Sequence, residues 1–398
     1  MNYKRPLFYK LLTRLQEPRM FIQVMAGPRQ VGKTTIALSL QNELKGLVEY
    51  HSADDVAGNT STWIDQVWES IRIRMKLQES NEAIIIFDEI QKITNWSETV
   101  KKHWDYDSRN NINIKPILLG SSRLLLMDGL SESLLGRYEL SYAGHWGFDE
   151  MANAFGYTLD EFLWFGGYPG AAKIKSDEVR FKEYIINSII EPTLTKDILL
   201  TTKIDKPALL RQLFEVSVEC SSRILSYNKL IGQLQDVGNT TTLSKYMQLL
   251  NHAGLLSGIN KFSGLNLTSK GTIPKFLVHN SAIYTAYKRD SFIEIYSNPV
   301  KWGHIIENAV GVYLIDQIKS NTNISLFYWR ENDIEIDFVI LHGDQIIGLE
   351  VKSGNKSISE KATKLFKQRY PDSTLILIGK HGIPIDLLLK TKLIEFIR

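Results

Sequence analysis

The chain has 398 residues, which is room for two to four domains. Its 47 Lys and Arg nearly balance 44 Asp and Glu, a formal charge of +3, so overall charge selects no polyanionic partner and only local patches could. Cys220 is the sole cysteine, which excludes intramolecular disulfides and Cys-based zinc sites. No apolar run approaches the ~20 residues of a membrane span and the start has no signal-peptide layout, so a cytoplasmic protein without a membrane partner is expected.

Residues 1 to 17 place Phe8, Leu11, Leu12 and Leu15 on one helical face, with Arg5, Lys10 and Arg14 elsewhere. Such a helix lies on a membrane surface or packs on its own domain, and packing is the expectation here. A β-prone apolar run follows at 21–26. It leads into Gly27-Pro28-Arg29-Gln30-Val31-Gly32-Lys33-Thr34, which fits the phosphate-binding pattern G-x-x-x-x-G-K-[ST]. The glycines let the backbone curl so that N–H groups point at phosphate oxygens. Lys33 is expected to reach the β- and γ-phosphates, and the Thr34 hydroxyl to ligate Mg²⁺. Thr35 opens a run with helical spacing, whose N-terminus faces the anion.

Strands are expected near 47–51, 83–88, 115–120 and 138–142, with helices such as 62–78 and 97–106 between them. This alternation predicts a doubly wound parallel α/β domain with its ligand at the carboxyl ends of the strands. Ala83 to Asp88 reads as a central strand buried on both faces and is followed by Glu89. Alone, Asp88-Glu89 would be a solvated junction. After the phosphate loop, Asp88 is expected to hold the Mg²⁺ shell and Glu89 to polarise the attacking water. Ser121 or Ser122, ending the strand near 115–120, reads either as a γ-phosphate sensor or as a helix cap. Arg137 reads as a surface arginine or as a finger acting across a subunit boundary, which would imply a homo-oligomer.

Residues 149 to 203 look helical around a turn-rich break at Trp164-Phe165-Gly166-Gly167-Tyr168-Pro169-Gly170, which suits a lid or connector. Residues 206 to 280 have the rhythm of a winged helix. One helix covers 207–220, a second follows the N-cap Ser226, and a third is capped by Thr241 or Thr242. Wing strands are expected at 255–262 and 273–279. The third helix offers only Lys245, Gln248 and His252 to DNA, which suits a packing or docking module at least as well as a reader of bases.

The tail reads as a further α/β unit. Glu307 lies on a helix at 304–319. Strands are expected at 324–329, 334–341 and 345–352, then a helix at 357–369 and a strand at 374–378. Strict alternation puts Glu335, Asp337 and Val339 on one face, and Glu350 with Lys352 on one face of the next strand. Two carboxylates on adjacent strands can hold Mg²⁺ or Mn²⁺, and a neighbouring lysine can orient a metal-bound water. Asp337, Glu350 and Glu307 are therefore candidate metal ligands and Lys352 a candidate catalytic lysine. The alternative is a salt bridge between Glu350 and Lys352.

The chain resembles a large prokaryotic family that joins an AAA-type ATPase domain to a C-terminal domain of unknown function, the latter pairing a winged helix with a restriction-endonuclease-like core. The matching strings are Gly27 to Thr34, Phe87-Asp88-Glu89-Ile90-Gln91, Gly120-Ser121-Ser122, Leu135-Gly136-Arg137, Gly166-Gly167-Tyr168-Pro169, Tyr328-Trp329-Arg330 with Asp337-Phe338, and Glu350-Val351-Lys352-Ser353. The resemblance implies ATP binding with Mg²⁺, an arginine from a neighbouring subunit (Arg137 here) and a nuclease-like fold in the tail. Family members usually carry Asp where this chain has His279-Asn280. Four parts are expected: an ATPase domain at 1–148, a helical lid at 149–205, a winged helix at 206–290 and an endonuclease-like domain at 291–398. Three functions follow as readings: an ATPase coupled to metal-dependent cleavage of DNA, a nucleotide switch with a partner-binding tail, and a DNA-binding protein using the winged helix.

Overall fold

Short apolar strands can be buried on both faces only if helices cover both, and the first third of the chain does this. The protein is described from a computed structural model that covers residues 3–56, 58, 60–120, 130, 133–199, 204–232, 234, 239–264, 273–319 and 323–397. Five parallel strands, β1 (Ile22–Ala26), β2 (Leu47–Ser52), β3 (Ala83–Asp88), β4 (Ile114–Gly120) and β5 (Tyr138–Tyr142), lie in the order β2-β3-β4-β1-β5. On β3, Ile85 and Phe87 enter one core with Trp68 and Ile71 of the helix Thr62–Leu77 and with Val100 and Trp104 of the helix Trp96–Arg109. Ile84 and Ile86 enter the opposite core, with Ile36, Ala37 and Leu40 of the helix Lys33–Glu43. Phe8, Leu11 and Leu15 of the helix Pro6–Gln16 are buried in this second core, so that helix packs its apolar face on its own unit. The chain runs from β1 to the far edge at β2, returns through β3 and β4, and continues on the other side of β1 at β5, so β1 is the switch point of the sheet.

The chain divides at residue 144 into two units. In the second, Met1–Gly144 having closed the first, the helices Phe148–Phe155, Leu159–Phe165 and Glu178–Ile185 come first, and the last runs on through π-helical turns. The helices Pro207–Glu219, Tyr227–Ile231 and Thr240–His252 follow. Ser226 Oγ accepts the Lys229 N–H at 3.2 Å, as an N-cap should. The third helix is capped by Asn239, whose Oδ1 accepts the Thr242 N–H at 2.7 Å, and not by Thr241 or Thr242. Four consecutive capping-type residues stand there, and the first of them takes the role.

β6 (Leu256–Lys261) and β7 (Lys275–Val278) form the expected antiparallel pair. The pair does not stand alone. β6 also pairs with β8 (Ile324–Glu331), and β9 (Ile334–His342), β10 (Gln345–Lys352) and β11 (Thr374–Gly379) complete one mixed sheet in the order β11-β10-β9-β8-β6-β7. No break in that sheet falls near residue 290.

The helix Pro299–Ile318 is fixed to β7 by Asn308, whose amide accepts from Val278 N and donates to Val278 O, both at 2.8 Å. Beside it, Asn280 Oδ1 accepts the N–H groups of Gly167 and Ala282, each at 3.1 Å. His145 Nε2 lies 3.0 Å from the Gly254 carbonyl, so it donates, and Nδ1 is left to accept from Asn280 Nδ2 at 3.2 Å. An aspartate at 280 would have no N–H for that bond, which gives the departure from the family pattern a structural role.

Candidate functional site

The phosphate loop begins where β1 ends. Gly27 has no alternative there, because a Cβ would stand 2.0 Å from the carbonyl oxygen of Ala143. Gly32 has φ +88°, and Gln30 has φ +60° despite carrying a side chain. Such conformations cost about 1–3 kcal/mol for a non-glycine residue and persist where surrounding structure fixes them. Lys33 is buried, and its Nζ donates to the carbonyls of Gly27 at 2.9 Å and Pro28 at 2.6 Å. At the mouth of the loop, Thr34 Oγ1 donates to Asp88 Oδ2 at 2.7 Å.

Two further contacts escape any motif. Tyr50, on the neighbouring strand β2, donates its hydroxyl to the same Asp88 oxygen at 2.7 Å. Burial, and then the hydrogen bond to Asp88, push the Tyr50 phenol up, so it stays a donor. Arg5 reaches back from the start of the first helix to the carbonyls of Val31 at 3.1 Å and Gly144 at 3.2 Å, and so braces the loop. Glu89 has φ +52°, and its Oε2 accepts from Gln91 Nε2 at 2.6 Å. A hydroxyl and a carboxylate that share a hydrogen bond are oxygen ligands suited to Mg²⁺, and the curled loop before an 11-residue helix suits phosphate, so the donor set fits a Mg²⁺–nucleotide.

Arg137 precedes β5, at the amino end of the sheet, where its carbonyl accepts from Ile22 N at 2.9 Å. Its guanidinium pairs with Asp105, with Nε at 2.9 Å and Nη2 at 3.2 Å. That bond, ahead of a small opposing effect of desolvation, raises its pKa. Ser121 and Ser122 lie outside the described residues.

The tail gathers the other predicted residues and adds two. One carboxylate oxygen each from Glu307, Glu335 and Asp337 lie within 4.8 Å of one another. Of the candidate ligands Glu307, Asp337 and Glu350, the first two stand in this close group with Glu335, and Glu350 does not. The second addition is Lys275 of β7. It is fully buried, with Nζ 2.5 Å from Glu307, 2.9 Å from Glu335 and 3.7 Å from Asp337, and it donates to the Asp337 carbonyl at 3.2 Å. Burial alone would discharge this lysine, but Glu307, Asp337 and Glu335 outweigh it and raise its pKa.

Glu350 Oε1 instead accepts from Lys352 Nζ at 2.5 Å, while Asp337 Oδ2 accepts from Val351 N at 2.8 Å. Burial and the nearby Asp337 push the Glu350 carboxyl up to about 7. Burial pushes that of Glu307 up to about 8, against the pull of Lys275.

The strict alternation expected on β9 fails. Phe327 and Trp329 of β8 face Val339 and Ile336, so β9 spends one extra residue there. Ile336 and Val339 consequently share a core with Phe366, and the Phe338 ring lies 5.0 Å from Lys275 Nζ. A bulge of this kind re-aims side chains: Val339 joins the core of Ile336, and Phe338, next to Asp337, lies beside the lysine.

Lys245 and Gln248, the residues proposed to face DNA, line a polar surface groove with Tyr227 and Asn228.

Residues 20–152 match the AAA domain family. Residues 156–291 and 302–389 match two families described as domains of unknown function, DUF8612 and DUF4143. The uncharacterized protein MJ1544 of Methanocaldococcus jannaschii is 22% identical over 377 residues, 89% of this chain and 80% of its own length. Among solved structures, the Holliday junction branch migration motor RuvB of Thermotoga maritima aligns with 65% of this chain and 90% of its own, at 16% identity and a TM-score of 0.32. AMPPCP-bound DnaA from Aquifex aeolicus aligns with 62% of this chain and 87% of its own, at 14% identity and a TM-score of 0.32. Among the described residues, no helix is long and apolar enough to cross a membrane.

Proposed function

We propose that this protein binds ATP with Mg²⁺ at Gly27 to Thr35 and hydrolyses it in the cytoplasm. The observation that carries the reading is the 2.7 Å contact between the Thr34 hydroxyl and Asp88, set beside a lysine that donates to two loop carbonyls. Backbone N–H groups of Arg29 to Thr35 cradle the phosphates, and Lys33 exchanges its carbonyl partners for phosphate oxygens. When bound, Mg²⁺ neutralises phosphate charge between Thr34 and Asp88. Glu89 orients the attacking water, and Gln91 positions Glu89. Ser121, just beyond β4, senses the γ-phosphate. Arg137 acts on the nucleotide of a neighbouring copy once it exchanges Asp105 for phosphate, and that role implies a homo-oligomer. Glu89→Gln should keep ATP affinity while phosphate release falls by ~10²-fold or more; turnover at the wild-type rate would remove Glu89 from the mechanism.

For the division of labour, 1–148 serves as the ATPase domain, 149–205 as a lid, 206–290 as a winged helix and 291–398 as an endonuclease-like domain. Lys275 inside the carboxylate group favours a switch over a cutter: ATP changes the contacts of a tail that docks a protein or DNA without cleaving it. Incubation with plasmid DNA and Mg²⁺ or Mn²⁺, with and without ATP, separates the two. No nicking is expected. Mn²⁺-dependent nicking that Asp337→Ala abolishes would reinstate cleavage by Asp337, Glu350, Glu307 and Lys352.

A further inference from the structure

The group of Glu307, Glu335 and Asp337 has the geometry of a cation site, with oxygens close enough to share one ion. All three residues keep some solvent exposure, so an ion from solution has access to them. What distinguishes the group is the cation already supplied by the chain. An ammonium has three N–H donors, and each of those of Lys275 finds an acceptor: Glu307, Glu335 and the Asp337 carbonyl, at 2.5, 2.9 and 3.2 Å. No exposure remains on the lysine side chain, and the face of Phe338 lies 5.0 Å from its Nζ. The backbone holds this arrangement from both sides. Asn308 clamps its helix to Val278, three residues from Lys275 and one from Glu307. From β9, Asp337 meets the same lysine with its carbonyl at 3.2 Å and its carboxylate at 3.7 Å.

We infer that Lys275 is the resident cation of this carboxylate group, and that its ammonium keeps divalent metal ions out of a site otherwise shaped to hold one. A second cation on the same oxygens would sit beside a buried like charge that has no solvent to screen it. Lysine is suited to the task because its charge is compact and its three donors can meet three acceptors. The inference concerns the metal position itself. It stands or falls independently of ATP hydrolysis and of what the tail docks.

The test is Mn²⁺ binding by the full chain without nucleotide, read as loss of the hydrated Mn²⁺ signal in electron paramagnetic resonance. Asp337→Asn serves as the background, so that any ion held near Thr34 and Asp88 cancels. Wild type and Asp337→Asn should give the same isotherm. Lys275→Met should gain about one Mn²⁺ per chain, lost again when Asp337→Asn is added. Because Lys275→Met leaves three carboxylates without their cation, Lys275→Met with Glu307→Gln is the second variant, with two carboxylates left for the ion. Wild type binding one more Mn²⁺ than Asp337→Asn would overturn the inference without recourse to any lysine variant. So would the absence of a gained ion in the folded single or double variant.

Discussion

Lys33 and Lys275 are both buried among oxygens, and their partners differ in kind. Lys33 is held by two neutral carbonyls of its own loop. Lys275 is held by carboxylates from a helix and a strand remote in sequence. A phosphate carries more negative charge than a carbonyl and can displace it, so the first lysine is poised to change partners. The second is itself fully buried and already matched by opposite charge, so exchange would leave its carboxylates uncompensated. Two sites equally rich in acid, base and backbone thus read oppositely. One is open to an anion and the other is closed on itself.

The most severe way to break the contrast is at Lys33. Lys33→Ala should abolish nucleotide binding, measured by titration with a fluorescent ATP analogue, while the thermal unfolding of the variant stays near that of wild type. Retained affinity would mean that the loop cradles nothing.

Arg137→Ala should lower ATPase turnover per subunit by ~10³-fold under conditions where the protein oligomerises. Wild-type turnover should rise with protein concentration, and a concentration-independent rate in a demonstrated monomer would remove the arginine from the mechanism.

On the closed side, Lys275→Met should destabilise the second unit by about 3–5 kcal/mol, because one partner of a buried ionic group is removed and the others stay. Urea unfolding monitored by tryptophan fluorescence measures this. A loss below ~1 kcal/mol would show that solvent at the partly exposed carboxylates makes up for the lost ammonium.

The mildest test is pH. Glu307 and Glu350 have folded pKa values raised to about 8 and about 7, above the usual carboxyl range. A raised folded pKa means that the native state holds protons the unfolded chain has released. Stability is then full below about pH 4.5 and falls as pH rises through about 7 to 8. Glu350→Gln should flatten this decline, because its amide cannot lose a proton. An unchanged slope would place the titration elsewhere. The opposing pair partner, Lys275, stays charged across the whole window, since its pKa is raised further from an already high value.

The open site was largely legible. Gly27 to Thr34 and Asp88-Glu89 are short strings whose spacing itself encodes the geometry, and the five parallel strands fall within a residue or so of their expected limits. Tyr50 and Arg5 were not legible, because nothing local marks a tyrosine or arginine as facing a carboxylate or carbonyl dozens of residues away. In the tail the strands were legible from alternation and the carboxylates from their types. The bulge in β9 was not, since an extra residue leaves the hydrophobic pattern nearly intact. Lys275 was least legible of all. Its partner Asp337 lies 62 residues further on, and a lysine beside Pro274 in an expected wing strand looks like a solvated residue.

The pairing of β6 with β8 joins Asn260 to Phe327. Bringing such distant segments together is slow relative to forming the β8-β9-β10 meander, so the meander should form first and wait for the hairpin that carries Lys275. A fragment that begins at residue 291 would never receive it. Its β8 would be left as an unpaired edge, and its acidic group would face solvent without an internal cation. Any cut between residues 278 and 324 would therefore separate this sheet from its own counter-ion.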